Sequence, residues 1–179
     1  MAEPVRCWPT SDPQYIAYHD EEWGRPVRDE HGLYERLCLE GFQSGLAWIT
    51  ILRKREAFRA AFAGFDPERV ARFGERDVQR LLGDAGIVRH RGKIEAAIAN
   101  ARGVLALRET DTPLPQLVWE YRDRDEAAAA ELSKRLKAAG FRFVGPTTVY
   151  AAMQATSVVN DHVQDCWVRE EVERARRQG

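Results

Sequence analysis

The sequence predicts an all-α protein. Apolar residues recur at three- and four-residue spacing in segment after segment. Asp, Ser and Pro stand where these segments begin and Gly where several of them end, the chemistry of helix caps. No period-two alternation is long enough to require a sheet, although Phe141-Arg142-Phe143-Val144 is briefly extended in character. A length of 179 residues fits one domain, and a hydrophobic fraction of 44% is enough for a real core.

Residues 1–28 read as irregular, with Pro4, Pro9, Pro13 and Pro26 among several aromatics. Asp29 is a good N-cap for a helix reaching about Gly41, with Leu33, Leu37 and Glu40 on one face. Ser44 opens a second helix to about Ala63, stopped by Gly64. Asp66-Pro67 pairs an N-cap with proline at the first helical position, so a short helix is expected over Glu68–Phe73. Glu75–Ala85 reads as another helix, with Gly86 as its C-terminal cap. The next runs from Arg89–Arg91 to about Leu107 on a stripe of Ile94, Ala97, Ile98, Ala101 and Leu105. Pro113 and Pro115 mark a loop. Alanine-rich Glu126–Ala139, then Pro146–Ala155 and Trp167–Gln178, complete the helices.

Basic and acidic residues nearly cancel, 27 against 28, which argues against a chain that coats nucleic acid through bulk charge. No apolar run approaches the ~20 residues needed to span a bilayer. The start, Met1-Ala2-Glu3-Pro4, lacks the basic-then-apolar pattern of a signal peptide, and the expected location is the cytoplasm. Cys7, Cys38 and Cys166 do not make a disulfide framework. Cys38, on an apolar helix face, reads as a core thiol.

Positive charge is concentrated between Gly86 and Arg108, where Arg89, Arg91, Lys93, Arg102 and Arg108 face Glu95 alone. The turn there joins two helices, and Gly86 and Gly92 bracket it. The opening turn of a helix directs unbonded N–H groups and partial positive charge outward, a natural seat for a phosphate. An ordinary helical pair with a solvated basic face explains the pattern equally well.

Cys7 and His19 lie near one end of the chain, and His162 and Cys166, at x3 spacing, near the other. Two sulfurs and two imidazoles suit tetrahedral zinc. Spacing alone favours the simpler reading of buried thiols and core histidines, because the two halves are far apart in sequence. Trp8, Tyr15, Tyr18, Trp23 and Trp48 crowd the first fifty residues. Aromatic walls are what a flipped, unstacked base needs, although core packing accounts for any single one of them. Glu40 stands in a stretch otherwise poor in charge, from Leu39 to Trp48. A carboxylate among aromatics could accept hydrogen bonds from an exocyclic amine or favour a cationic base; an exposed helix-end glutamate is the simpler alternative.

Taken together these stretches resemble the bacterial DNA-3-methyladenine glycosylase I family of the helix-hairpin-helix superfamily. The resemblance rests on Asp12-Pro13, Tyr15-Ile16-Ala17-Tyr18-His19-Asp20, Glu22-Trp23-Gly24, Leu39-Glu40-Gly41, Gln43-Ser44-Gly45-Leu46, Trp48-Ile49-Thr50, Lys54-Arg55, Phe65-Asp66-Pro67, Asp84-Ala85-Gly86-Ile87, Arg89-His90-Arg91-Gly92-Lys93-Ile94, Asn100-Ala101, Phe143-Val144-Gly145 and Val159-Asn160-Asp161-His162. Eleven residues separate Cys7 from His19, one fewer than the family's spacing.

The resemblance implies a helix-hairpin-helix glycosylase fold and a single domain over 1–179. One lobe is the helix-hairpin-helix region at about 66–110, and the other is formed by the N- and C-terminal segments around one structural zinc. It implies Cys7, His19, His162 and Cys166 as the zinc ligands. Glu40 becomes the recognising and catalytic carboxylate, with Trp8, Tyr18 and Trp48 around the base. Gln43, Gly45 and Leu46 form the loop that enters the DNA stack, and Gly86, Arg89, Arg91, Gly92 and Lys93 the phosphate-binding hairpin. The implied activity is excision of 3-methyladenine from alkylated double-stranded DNA by a monomer, releasing the free base. Two alternatives stand beside it: a glycosylase for another lesion such as 3-methylguanine, and a catalytically silent, zinc-stabilised DNA-binding module.

Overall fold

The structure, a computed structural model, describes residues 4–178. The first three residues, part of the expectation about a leader, lie outside the described residues. All regular structure among the described residues is helical, in the order α1 (Pro13–Glu21), α2 (Glu30–Gln43), α3 (Trp48–Ala61), a single 3-10 turn (Ala63–Phe65), α4 (Pro67–Ala71), α5 (Glu75–Leu82), α6 (Arg91–Arg108), α7 (Leu114–Trp119), α8 (Glu126–Ala138), α9 (Pro146–Ala155) and α10 (Arg169–Arg177). No helix among the described residues is long and apolar enough to cross a membrane.

The caps explain most boundaries. Asp29 accepts from the Gly32 N–H at the start of α2 (2.8 Å), and Asp66 from that of Glu68 at the start of α4 (2.9 Å). At α6 the cap is a histidine: His90 Nδ1 accepts from the Lys93 N–H (3.1 Å).

Four expectations need correction. The N-terminal segment is not wholly irregular, because Asp12 caps α1 by accepting from Gln14 and Tyr15, with Pro13 at the first helical position. Its nine residues are too few to show a long apolar stripe; burial of Tyr18 and His19 holds it instead. Ser44 does not open α3. Gly45 adopts φ +81, so residues 44–47 form a turn and the helix starts at Trp48. The loop expected at Pro113 and Pro115 holds α7, where the prolines occupy the cap and first turn and need no N–H bond. Helix α5 ends at Leu82, leaving a longer connection before α6 than expected. As expected, the brief extended character of Phe141–Val144 builds no strand among the described residues.

Helix α2 is the centre of the packing. It buries Leu33, Tyr34, Leu37, Cys38, Leu39 and Phe42 and contacts α3, α6, α7 and α9. Phe42 meets Phe58 of α3 at 4.6 Å between ring centroids, continuing to Phe62 and Phe65. Three buried polar side chains in this core are paired. Tyr34 donates to the Ala97 carbonyl (2.8 Å), the Arg142 N–H donates to Asn100 Oδ1 (2.7 Å), and Ser133 donates to the Val144 carbonyl (2.6 Å). Cys38 is a core thiol, as expected, and burial pushes its pKa up to about 12. At the other end of the chain, Arg176 is almost fully buried and donates to the Ser157 and Val158 carbonyls (2.7 and 2.9 Å), pinning α10 to the residues after α9.

Gly103 tests how tightly α6 is packed. A Cβ there would lie 2.6 Å from the Phe141 ring and 3.0 Å from the Ala139 carbonyl. Glycine inside a helix costs ~1 kcal/mol relative to alanine, whereas overpacking costs ~1–3 kcal/mol. Gly103→Ala is therefore expected to destabilise the protein by up to about 2 kcal/mol, measured by urea unfolding; a stabilised variant would show that Phe141 has room to yield.

Candidate active site and metal centre

A cleft of about 190 Å³ opens where α1, α2, α3 and α9 meet. Tyr15 and Tyr18 come from α1, Glu40 and Gln43 from α2, Trp48 from the first position of α3, and Ala151 and Gln154 from α9, while Trp8 and Trp23 come from the segments flanking α1. The structure thus brings together Trp8, Tyr18, Glu40 and Trp48, four residues scattered over forty positions. The aromatic wall is continuous: Trp8 lies 5.2 Å from Tyr15, Tyr15 lies 6.3 Å from Tyr18, and Tyr18 lies 5.5 Å from Trp48.

Glu40 is 6% exposed and accepts no hydrogen bond from the described residues. It is not the exposed helix-end glutamate of the simpler reading. Burial pushes its pKa up to about 7, against a partial pull downward from the Arg36 guanidinium one turn earlier. Arg36 is itself engaged elsewhere: Nη1 donates to the Tyr18 hydroxyl and Nη2 to Glu22, each at 2.9 Å. Its guanidinium also lies 5.5 Å from the Tyr18 ring centre and 5.3 Å from that of Trp48. Burial raises the Glu22 pKa, but Arg55 and Arg36 outweigh it and keep this carboxylate below its ordinary range. The cleft thus holds one carboxyl with acceptor capacity unused, beside a tyrosine fixed by a buried cation.

Cys7, His19, His162 and Cys166 converge beside this cleft, and their ligand atoms all lie within 4.8 Å of one another. Cys7 Sγ and Cys166 Sγ stand 3.3 and 3.4 Å from His162 Nδ1, and Cys166 Sγ stands 3.6 Å from His19 Nε2. Tetrahedral bonds of ~2.0–2.3 Å to one ion place its ligands about 3.3–3.8 Å apart, so these separations suit a single metal. The tautomers suit it as well. His19 Nδ1 is 2.8 Å from Asp20 Oδ1, which accepts its proton and leaves Nε2 as a lone pair facing the sulfurs. Burial and neighbouring His19 lower the His162 pKa to about 4, keeping that imidazole neutral. Burial raises the Cys7 thiol to about 11, a proton that a bound metal would displace. Gly24 admits His162: at φ +74, a Cβ there would sit 2.5 Å from His162 Nε2. The shorter Cys7–His19 spacing does not prevent the convergence.

The metal-ligand set and the cleft share walls. Trp8 is next to Cys7 in the chain and meets His19 edge-on at 4.8 Å, and Trp23 meets His162 edge-on at 4.7 Å.

The Gln43–Leu46 turn borders the cleft. The Leu46 N–H donates to the Gln43 carbonyl (2.7 Å) and Gln43 Nε2 donates to the Leu46 carbonyl (2.6 Å), leaving Leu46 39% exposed. The hairpin lies between α5 and α6. Its charge is less available than the sequence count suggests, because three of the four pairing glutamates, Glu30, Glu68 and Glu75, lie outside the counted window. Arg91 pairs with Glu75 (2.6 Å) as well as Glu95 (2.9 Å), and Arg108 with Glu30 and Glu68 (2.5 and 2.7 Å). Arg102 donates to the Ala71 and Phe73 carbonyls (3.0 and 3.1 Å). The Gly86 N–H donates to Asp84 (2.8 Å), and Lys93 turns inward. Among the five basic residues Arg89 alone is exposed with no such partner, beside the unbonded N–H groups of Arg91 and Gly92 at the start of α6.

Tyr15 and Trp23 of the aromatic run also line the cleft, and so do Ala151 and Gln154, with Arg36 behind it; the sequence reading did not single out these last three. Arg36 was legible in principle, since it precedes Glu40 by one helical turn on an otherwise apolar face. Ala151 and Gln154 carry no such signal.

The chain matches the methyladenine glycosylase family over residues 8–170. It is 49% identical over 177 residues to DNA-3-methyladenine glycosylase 1 of Escherichia coli K12, covering 90% of this chain and 95% of that protein. It is 40% identical over 179 residues to DNA-3-methyladenine glycosylase of Haemophilus influenzae, covering 90% and 96%. Among solved structures it is similar to a crystal structure of 3-methyladenine DNA glycosylase I, with a TM-score of 0.87 at 47% identity over 91% of this chain and 98% of that one. The Staphylococcus aureus enzyme, whose structure addresses recognition of 3-methyladenine, superposes with a TM-score of 0.85 at 37% identity over 89% and 93%. With a match of that extent, the chain belongs to the methyladenine glycosylase family.

Proposed function

We propose that this protein is a monofunctional DNA-3-methyladenine glycosylase of base-excision repair. The observation that carries the proposal is Glu40, a buried carboxyl without a hydrogen-bond donor, facing a small aromatic cleft. Methylation at N3 makes adenine cationic, which weakens its bond to deoxyribose. A cation entering the cleft favours the ionised carboxylate, and an exocyclic amine supplies the hydrogen bond that Glu40 lacks. The tryptophans and tyrosines stack on the flipped base and offset part of the few kcal/mol that flipping costs.

The base leaves as neutral 3-methyladenine, taking the electron pair of the glycosidic bond. Water adds to the sugar carbon and loses one proton, leaving an abasic site. No acid need protonate the base, so Glu40 acts as recogniser and electrostatic stabiliser.

We assign the Gln43–Leu46 turn as the element that enters the stack, with Leu46 at its tip. The Gly86–Gly92 helix-hairpin-helix connection grips the duplex backbone without reading sequence. There Arg89 and the N–H groups of Arg91 and Gly92 receive phosphate, and Arg91 exchanges Glu75 for it. Cys7, His19, His162 and Cys166 would hold a structural zinc, since a Cys2His2 donor set supplies all four ligands of a closed tetrahedral site. It fastens the two terminal segments into one lobe, the region at about 66–110 forming the other, in a cytoplasmic monomer. When bound, the zinc supplies no chemistry to the reaction; it holds Trp8 and Trp23 in place.

Incubating the protein with methylated duplex DNA and separating the released bases tests the activity: free 3-methyladenine is expected, and DNA binding without release would indicate a silent binding module. Glu40→Gln is expected to reduce base release and affinity for 3-methyladenine while stabilising the free protein. The sign comes from the raised pKa. The penalty is absent below pH ~4.5, builds as the pH rises towards ~7 and is complete above it, so the variant gains on the order of 3 kcal/mol at pH 8 and nothing at pH 4. Urea titrations at the two pH values check this. Elemental analysis should find one zinc per chain, and metal-free protein with full activity would withdraw the assignment. Arg89→Ala should weaken DNA binding across sequences and lower the salt slope by about 1.

A further inference from the structure

Lys93 is the third residue of α6, directly after the hairpin, yet it is only 9% exposed. Its ammonium donates to the Phe42 carbonyl (2.9 Å) and to the Ser44 carbonyl (2.6 Å). These two carbonyls flank Gln43. The first belongs to the last turn of α2, where carbonyls lack intrahelical donors; the second belongs to the turn that carries Leu46. No ion pair is formed by Lys93 among the described residues, and a cation at this end of α2 is favoured by the helix dipole. Burial lowers its pKa below the ordinary lysine value.

The Gln43–Leu46 turn is closed by its own two hydrogen bonds, and Ser44 reaches back to Gly41 by a longer one of 3.3 Å. Lys93 is the side chain that bonds this turn to the element after the hairpin. A lysine directed at a phosphate would instead extend into solvent as Arg89 does. We propose that Lys93 is a positioning residue that locks the Leu46 turn to the hairpin, so that gripping the backbone and opening the stack occur at a fixed spacing. This rests on the glycosylase reading above. Its consequence is geometric. The hairpin fixes where the duplex lies, the turn fixes where the stack opens, and the lesion reaches Glu40 only if the two agree. A misplacement of ~1 Å can cost about 100-fold in rate.

Lys93→Met keeps most of the side chain's length and removes both donors; Lys93→Gln, shorter and neutral, is the second variant should the first not fold. In the free protein, hydrogen exchange at the Ser44 and Leu46 amides is expected to accelerate about 10-fold or more, while amides of the α2 core stay protected. Single-turnover release of 3-methyladenine from methylated duplex should fall about 10- to 100-fold. Affinity for the free base should stay within about 2-fold of wild type, since Glu40 and the aromatic wall are untouched. The salt dependence of duplex binding should keep its wild-type slope, whereas loss of a direct phosphate contact would reduce the slope by about 0.9. Unchanged exchange at the turn, unchanged release, free-base binding lost in step with release, or a slope reduced by that amount would each overturn the assignment. If wild-type protein released no base, the glycosylase reading would fall, and the exchange measurement would still decide whether Lys93 holds the turn.

Discussion

Glu40 projects from the most buried helix of the molecule into a cleft that gives it no hydrogen-bond donor. Such a carboxyl opposes folding once it ionises, and the structure around it limits the penalty without removing it. Arg36, one turn away on α2, pulls the pKa part of the way back, but its Nη1 and Nη2 donate to Tyr18 and Glu22. A direct Arg36–Glu40 pair would stabilise the carboxylate more and leave a cationic ligand less to gain. The partial compensation keeps Glu40 receptive while Tyr18 is held rigidly beside it.

The aromatic wall depends on how the chain ends meet. Trp8 and Trp23 come from segments with no regular structure of their own, and each packs edge-on against an imidazole of the cysteine–histidine cluster. Asp20 orients His19 and also receives Arg6 and the Trp167 indole N–H, so residues before α1 and before α10 are tied at one carboxylate. The cluster lies beside the chemistry, but the walls of the cleft inherit its rigidity.

Much of the fold was legible because the signals are local. Asp29, Asp66 and the alanine-rich run of α8 act through their own neighbours, and those helices stand where such chemistry puts them. The misreadings arose where local rules were ambiguous. A proline such as Pro113 or Pro115 ends one helix or begins another, and its own residue type does not say which. Ser44 is a good cap that loses to the left-handed Gly45 beside it. The basic run after Gly86 looked available because Glu75, Glu30 and Glu68, which neutralise parts of it, come from other helices.

By itself the sequence determined an all-helical chain, a basic turn between two helices, and two cysteines and two histidines of metal-ligating type divided between its ends. It also carried the motifs of the family, which pointed to Glu40 and its aromatic neighbours. Those properties arise from residue type and short-range spacing. Only the tertiary structure decided that Glu40 is buried and without a donor, that the four ligands meet within 4.8 Å, that Arg89 is the exposed, unpaired cation of the basic run, and that Lys93 turns inward to the Leu46 turn. A pKa depends on solvent exclusion and on charges brought in from distant parts of the chain. A lysine's partner depends on which carbonyls packing places within reach, and neither quantity is written in the order of residues along one helix.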